Sequence, residues 1–129
     1  MPASELKPDQ TELVVLSVLA SESLYGYAIG KRVGELSGGE LKLGPSRLYP
    51  LLSRLERAGL VTTAWEEVRA DGAAPEGTGR RRKWYRLTAK GRQRLEHRIE
   101  QHRRRTSLIE RFISGGSAGG ADGARGEPA

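Results

Sequence analysis

Along "PDQTELVVLSVLASE" the apolar positions recur as on a helix that faces a core: Leu13, Leu16 and Ala20 fall on one face, widened by Val14, Val18 and Leu19. Asp9, three residues ahead of Glu12, predicts a reciprocal cap at its start. A second helix is predicted in "SLYGYAIGKRVGELSGG", where Ile29, Val33 and Leu36 stand at i, i+4 and i+7 and Gly38-Gly39 supplies a left-handed stop. The short "ELKLG" that follows alternates Leu41 and Leu43 around Lys42, the pattern of a half-buried strand.

The third helix is predicted from about Ser46 to Ala58. Leu48, Leu51, Leu52 and Leu55 form an apolar stripe at i, i+3, i+4 and i+7, and Gly59 with Leu60 and Val61 closes its end. A proline deep in a helix breaks it. With Ser46 as N-cap, Pro50 is the fourth helical residue and forfeits only the bond back to the cap carbonyl, so its cost stays well below the roughly 3 kcal/mol of a mid-helix proline. Pro45 lies outside the helix and stiffens the approach to it.

"LVTTAWEEV" and "RRKWYRL" are β-prone and alternating, and "RADGAAPEGTG" between them predicts a hairpin with a long, loose tip. Thr88 then caps a helix over 89–113, along which Leu95, Ile99, His102, Thr106, Ile109 and Ile113 repeat at steps of 4, 3, 4, 3 and 4, a seam suited to a partner helix. The tail over 114–129 has too little apolar content to order itself. Helix, helix, short strand, helix, hairpin, long helix is the order of a winged helix-turn-helix. The fold class is therefore mainly α with a small β-hairpin wing. Residues 1–8 are expected to form a flexible arm, 9–88 the winged domain and 89–113 a C-terminal dimerisation helix.

Length and charge sharpen this picture. The 129 residues leave room for one domain with a small core, to which a partner subunit adds burial. The formal charge is +6, but it is localised: residues 1–79 hold 8 Lys/Arg against 11 Asp/Glu, and residues 80–111 hold 13 against 3. Such a run invites an anionic partner. Cysteine is absent, which removes disulfides, thiolate metal sites and a cysteine nucleophile. No segment is long and apolar enough to span a membrane, and the first residues lack the apolar core of a signal peptide, so a cytoplasmic location is expected.

With the leucines of the third helix turned inward, its opposite face carries Arg47, Pro50, Arg54 and Arg57, flanked by Ser46, Tyr49 and Ser53. A helix N-terminus suits a phosphate, Pro50 limits bulk where the helix would approach DNA most closely, and Arg47 or Arg54 has the reach for guanine O6 and N7. Arg80, Arg81, Arg82 and Lys83 enter the returning strand of the wing, from which cations lie along a phosphate backbone or into a minor groove. Trp84 and Tyr85 must face opposite ways; Trp84 is expected in the core, and a ligand pocket shared with Trp65 is the other use of this region. His97 and His102, at i and i+5, are poorly placed to share a metal, and no catalytic or phosphate-loop spacing is present, so neither a cofactor nor an enzyme is expected.

"LYGYAI", "LSGGELKLGPSRLYPLLSRLERAGLV" and "RRRKWYRLTAKG" together resemble the PadR family of bacterial transcriptional regulators, over about residues 10 to 112. A Gly-Tyr opening helix two, a Leu-Tyr-Pro in the recognition helix and a basic-aromatic strand before "LT..G" occur in family order. The resemblance implies a winged-helix homodimer joined by its C-terminal helix, repressing nearby genes until a small molecule binds. It places Ser46, Arg47, Tyr49 and Pro50 at the DNA-facing start of the recognition helix and the basic run on the wing. The long wing tip departs from the family, and the single short C-terminal helix resembles its short subgroup, leaving room for an effector only at the dimer interface. Two rivals are a winged helix that docks an acidic protein and a small-molecule carrier built around Trp65 and Trp84.

Overall fold

The computed structural model describes residues 6–68 and 80–115. Among these residues four helices and three strands follow one another as α1 (Pro8–Ser21), β1 (Leu24–Tyr25), α2 (Gly26–Leu36), α3 (Pro45–Arg57), β2 (Val61–Val68), β3 (Arg80–Leu87) and α4 (Ala89–Gly115). The strands form one antiparallel sheet in the order β1-β3-β2. This is a winged helix-turn-helix. The chain divides into two units, Met1–Leu95 and Glu96–Ala129. The expected loop at the wing tip, most of the N-terminal arm and the tail beyond residue 115 lie outside the described residues.

In the first unit the core is built where the periodicity put it. Leu48, Leu51, Leu52 and Leu55 of α3 are all buried, joined by Ile29 and Val33 of α2 and by Val15, Leu16, Val18 and Leu19 of α1. The α1 stripe is rotated from the expected one: Val15 lies at its centre, while Leu13, Val14 and Ala20 are only half-buried at its edge. The helix also starts earlier, with Pro8 in its first turn and Lys7 as the capping residue; Gln10 Oε1 accepts from the Lys7 N–H at 2.9 Å, in place of the expected Asp9–Glu12 pair. Glu12 is drawn inward instead.

Two helices end on a left-handed glycine. After α2, Gly38 has φ 64° and the Gly39 N–H donates to Gly34 O at 2.8 Å; after α3, Gly59 has φ 77° and the buried Leu60 donates back to Leu55 O at 2.9 Å. Both are Schellman closures, which satisfy carbonyls that the helix end leaves unpaired. The α3 closure turns the chain straight into β2.

Residues 40–44 form no strand. The Leu41 N–H donates to Ser37 Oγ at 2.9 Å, so the segment is held locally to the end of α2 and not by a sheet. The third strand is instead Leu24–Tyr25, paired Leu24↔Tyr85 and Tyr25↔Trp84. Two residues carry no measurable alternation, which is why the sequence hid them.

Thr88 caps α4 as expected, accepting from the Gly91 N–H at 2.9 Å, and its hydroxyl donates to Gly59 O at 2.7 Å. A Cβ at position 91 would lie 2.0 Å from Leu60 O. Only glycine lets the root of α4 seat against the α3–β2 turn.

Candidate nucleic-acid interface

Helix α3 begins two residues earlier than a cap at Ser46 implies. Gly44, extended at φ −83° and ψ 171°, is its N-cap, and its carbonyl accepts from the Leu48 N–H at 2.9 Å. Pro45 therefore occupies the first helical position, where its missing N–H costs nothing. Pro50 becomes the sixth residue, and the carbonyl it leaves without a helical donor is that of Ser46, on the exposed side. Ser46, Arg47, Tyr49, Pro50, Ser53, Arg54 and Arg57 are all exposed, opposite the buried leucines. The helix carries one acid, Glu56, which turns toward the wing.

Three of these residues are tied to their surroundings. The Tyr49 ring packs over the first turn of α2, where a Cβ at Gly26 would meet Tyr49 Cε1 at 2.7 Å. A single Arg47 NH2 donates to Leu6 O at 2.9 Å and to Thr11 Oγ1 at 3.3 Å. Arg54, whose side chain is 54% exposed, has its NH2 3.9 Å from the carboxylate of Glu12. Leu6 and the first turns of α1 thus brace two of the three arginines on this face.

In the wing, the register Thr63↔Tyr85, Ala64↔Trp84, Trp65↔Lys83 and Glu66↔Arg82 fixes which side chains share a face. Tyr85 and Leu87 turn into the core. Trp84 is half-buried on the other face, the reverse of the expected assignment. The registry with β1 decides this, because Leu24 and Tyr25 add a strand whose alternation fits Tyr85 inward. Burial pushes the Tyr85 hydroxyl pKa up.

The face shared with Tyr85 continues outward as Lys83, Trp65 and Arg81. Lys83 Nζ bonds Glu56 Oε1 of α3 at 3.2 Å, and Thr63 Oγ1 donates to Glu56 Oε2 at 2.9 Å. These two donors, Thr63 first, hold the Glu56 carboxyl below the usual range. Trp65, 56% exposed, has the Arg81 guanidinium 4.8 Å and the Lys83 ammonium 5.7 Å from its ring centroid.

On the opposite face, Tyr25 Oη donates to Glu66 Oε1 at 2.7 Å and the Trp84 indole donates to the same oxygen. The Tyr25 bond, then the Trp84 bond, lower the Glu66 pKa, and the Tyr25 pKa is raised by the same carboxylate. Tyr25 and Tyr27 stack with centroids 5.9 Å apart, and Arg82 lies 4.9 Å and 5.4 Å from their ring centroids. Arg82 is therefore held at the base of the wing. The side chain of Arg80 lies outside the described residues. Trp65 and Trp84 occupy opposite faces of the sheet, so within one subunit they share no pocket.

Along α4, Leu95 is 7% exposed and belongs to the core of the first unit, which leaves it little surface to give to a second helix. Ile99 is half-buried, while His102 and Thr106 are exposed. In the second unit the exposed apolar residues are Leu108, Ile109, Phe112 and Ile113, the last two at 83% and 71%. Leu108 and Phe112 are missing from the expected seam; their i, i+4 spacing beside Ile109 and Ile113 was the available signal. Among the described residues no helix is long and apolar enough to cross a membrane.

Residues 15–97 match the Transcriptional regulator PadR-like family. A PadR family transcription regulator from Clostridium difficile is similar at 26% identity and a TM-score of 0.64, over 80% of this chain and 97% of its own. PadR of Bacillus subtilis, solved in complex with operator DNA, is similar at 27% identity and a TM-score of 0.56, over 69% of this chain and 46% of its own. A transcriptional regulator from Clostridium thermocellum shares the fold at 23% identity and a TM-score of 0.68, over 82% of this chain and 95% of its own.

Proposed function

The chain belongs to the PadR-like family of transcriptional regulators, and from that premise we propose that it is a repressor that binds an inverted-repeat operator as a homodimer. The observation that carries this reading is the outward face of α3, where Ser46, Arg47, Tyr49, Pro50, Ser53 and Arg54 are exposed together behind a rigid leucine-backed helix. Arg47 and Arg54 read base edges in the major groove, and the wing cations Arg80, Arg81 and Lys83 position the protein on the phosphates, while Arg82 stays against Tyr25 and Tyr27. The operator complex of the Bacillus subtilis relative supports the choice of partner.

Helix 89–113 serves as the dimerisation element, through Ile99, His102, Thr106, Ile109 and Ile113 with Leu108 and Phe112 beside them. Four exposed apolar side chains over six residues support this, since burying them against a second copy removes a patch that water disfavours. Repression relieved by a small-molecule effector or other signal rests on the family resemblance, and the dimer interface is its proposed seat.

Selection of bound duplexes from a random pool, followed by footprinting, tests the reading. Two symmetric half-sites with centres about one helical turn, roughly 34–36 Å, or a small multiple apart are expected. A single asymmetric half-site, or no preference over random duplex, would sink it.

A further inference from the structure

We propose that Glu12 is a positioning residue for DNA reading, which sets the Arg54 guanidinium of the recognition helix and ties it to the root of α4 through Arg94. This rests on the DNA-reading role proposed for Arg54. Glu12 lies on the buried side of α1, with Thr11, Val15, Leu16 and Leu19, and its side chain is 4% exposed. A carboxylate so far from water is costly unless charged partners reach it. Arg94 Nε donates to its Oε2 at 2.9 Å, and Arg54 NH2 stands 3.9 Å from its Oε1. One anion is thus shared between α3 and α4, and both arginines keep about half of their side-chain surface in solvent.

The sharing has a direction. An arginine held on one side loses less rotamer freedom when its other side meets a base, so Glu12 favours binding as long as its grip on Arg54 is loose. The closer pair, to Arg94, keeps it loose by taking up most of the negative charge. If the root of α4 moves and withdraws Arg94, the buried carboxylate pulls harder on Arg54 and draws it back from the DNA. The linkage is reciprocal: DNA that engages Arg54 strengthens the Glu12–Arg94 pair and so favours the α4 position that supplies it.

The test uses the full-length chain and a duplex recovered by selection, with affinity for that duplex and for random duplex measured side by side. Glu12→Gln and Arg94→Met should each lower the preference for the selected duplex by roughly threefold or more, a size set by typical couplings between contacting residues. Neither should lower it further in an Arg54→Ala background, and Arg94→Lys should restore it. Equal losses on both duplexes, or losses that add to that of Arg54→Ala, would overturn the proposal by reducing Glu12 to a fold-stabilising group. If Glu12→Gln fails to fold by circular dichroism, the Arg94 pair of variants reads the same coupling without removing the buried acid. A wild type with no preferred duplex would instead overturn the DNA-reading function itself.

Discussion

The recognition helix and the wing both carry cations, but they dispose of them differently. In α3 the polar residues recur every three or four positions, so the whole set stays on one exposed face while the leucines fill the other. In β3 the four cations are consecutive, and a strand must send neighbours to opposite sides. Arg81 and Lys83 therefore share the face that leads to α3, whereas Arg82 is laid across Tyr25 and Tyr27 on the other. A basic run in a strand is worth about half its length as a nucleic-acid surface. The supports differ too: α3 is braced by the Leu6 carbonyl and by a hydroxyl and a buried carboxylate of α1, the wing by aromatic rings and two carboxylates at its base.

The largest expected effect is on the α3 side. Arg47→Ala or Arg54→Ala should cost about 1–3 kcal/mol on the selected operator, roughly 5- to 150-fold, with little change on random duplex, as anisotropy titration would reveal. Equal losses on both duplexes would move these arginines from reading to positioning. Next, Arg81→Ala with Lys83→Ala should weaken every duplex alike and lower the slope of log affinity against log salt by about 0.9 for each phosphate no longer neutralised. A changed sequence preference in that variant would exchange the roles of helix and wing.

Arg82→Ala should act mainly on the fold. Removing the cation from over the exposed Tyr27 and half-buried Tyr25 rings should cost about 0.5–1 kcal/mol in denaturant unfolding, and the salt slope should shift much less than for the Arg81 and Lys83 pair. A drop of a full unit in slope would mean that Arg82 leaves its rings for DNA.

The smallest effect is in acid. Glu56 and Glu66 have pKa values lowered in the folded protein, so their contribution is complete above the ordinary glutamate value and is lost as the pH falls through the lower folded ones. Tryptophan emission should change only as the pH falls through the lowered Glu66 value, below the ordinary glutamate range, where the Glu66 bond to Trp84 is released. Glu66→Gln should remove most of that change; an unaltered titration would place its origin elsewhere.

Where one stripe and one stop signal coincide, the fold was legible. Leu48, Leu51, Leu52, Leu55 and Gly59 specify α3 and its end, and Thr88 specifies the start of α4. Boundaries at prolines were harder, since Pro45 is as compatible with the first helical position as with the loop before it. The strand at Leu24–Tyr25 and the false one at residues 40–44 share a cause: at two to four residues, alternation says nothing about whether an edge is free to receive the segment. That same pairing reversed Trp84 and Tyr85.

The amino-acid sequence alone determined the order of the four helices and the hairpin, the leucine core and the exposed basic row of α3, because these depend on periodicity along a single element. Tertiary structure decided which wing cations remain available, which aromatic ring enters the core and which arginines share the charge of Glu12. Each of those outcomes depends on which atoms of a second element stand within about 4 Å, and a one-dimensional pattern carries no such distance.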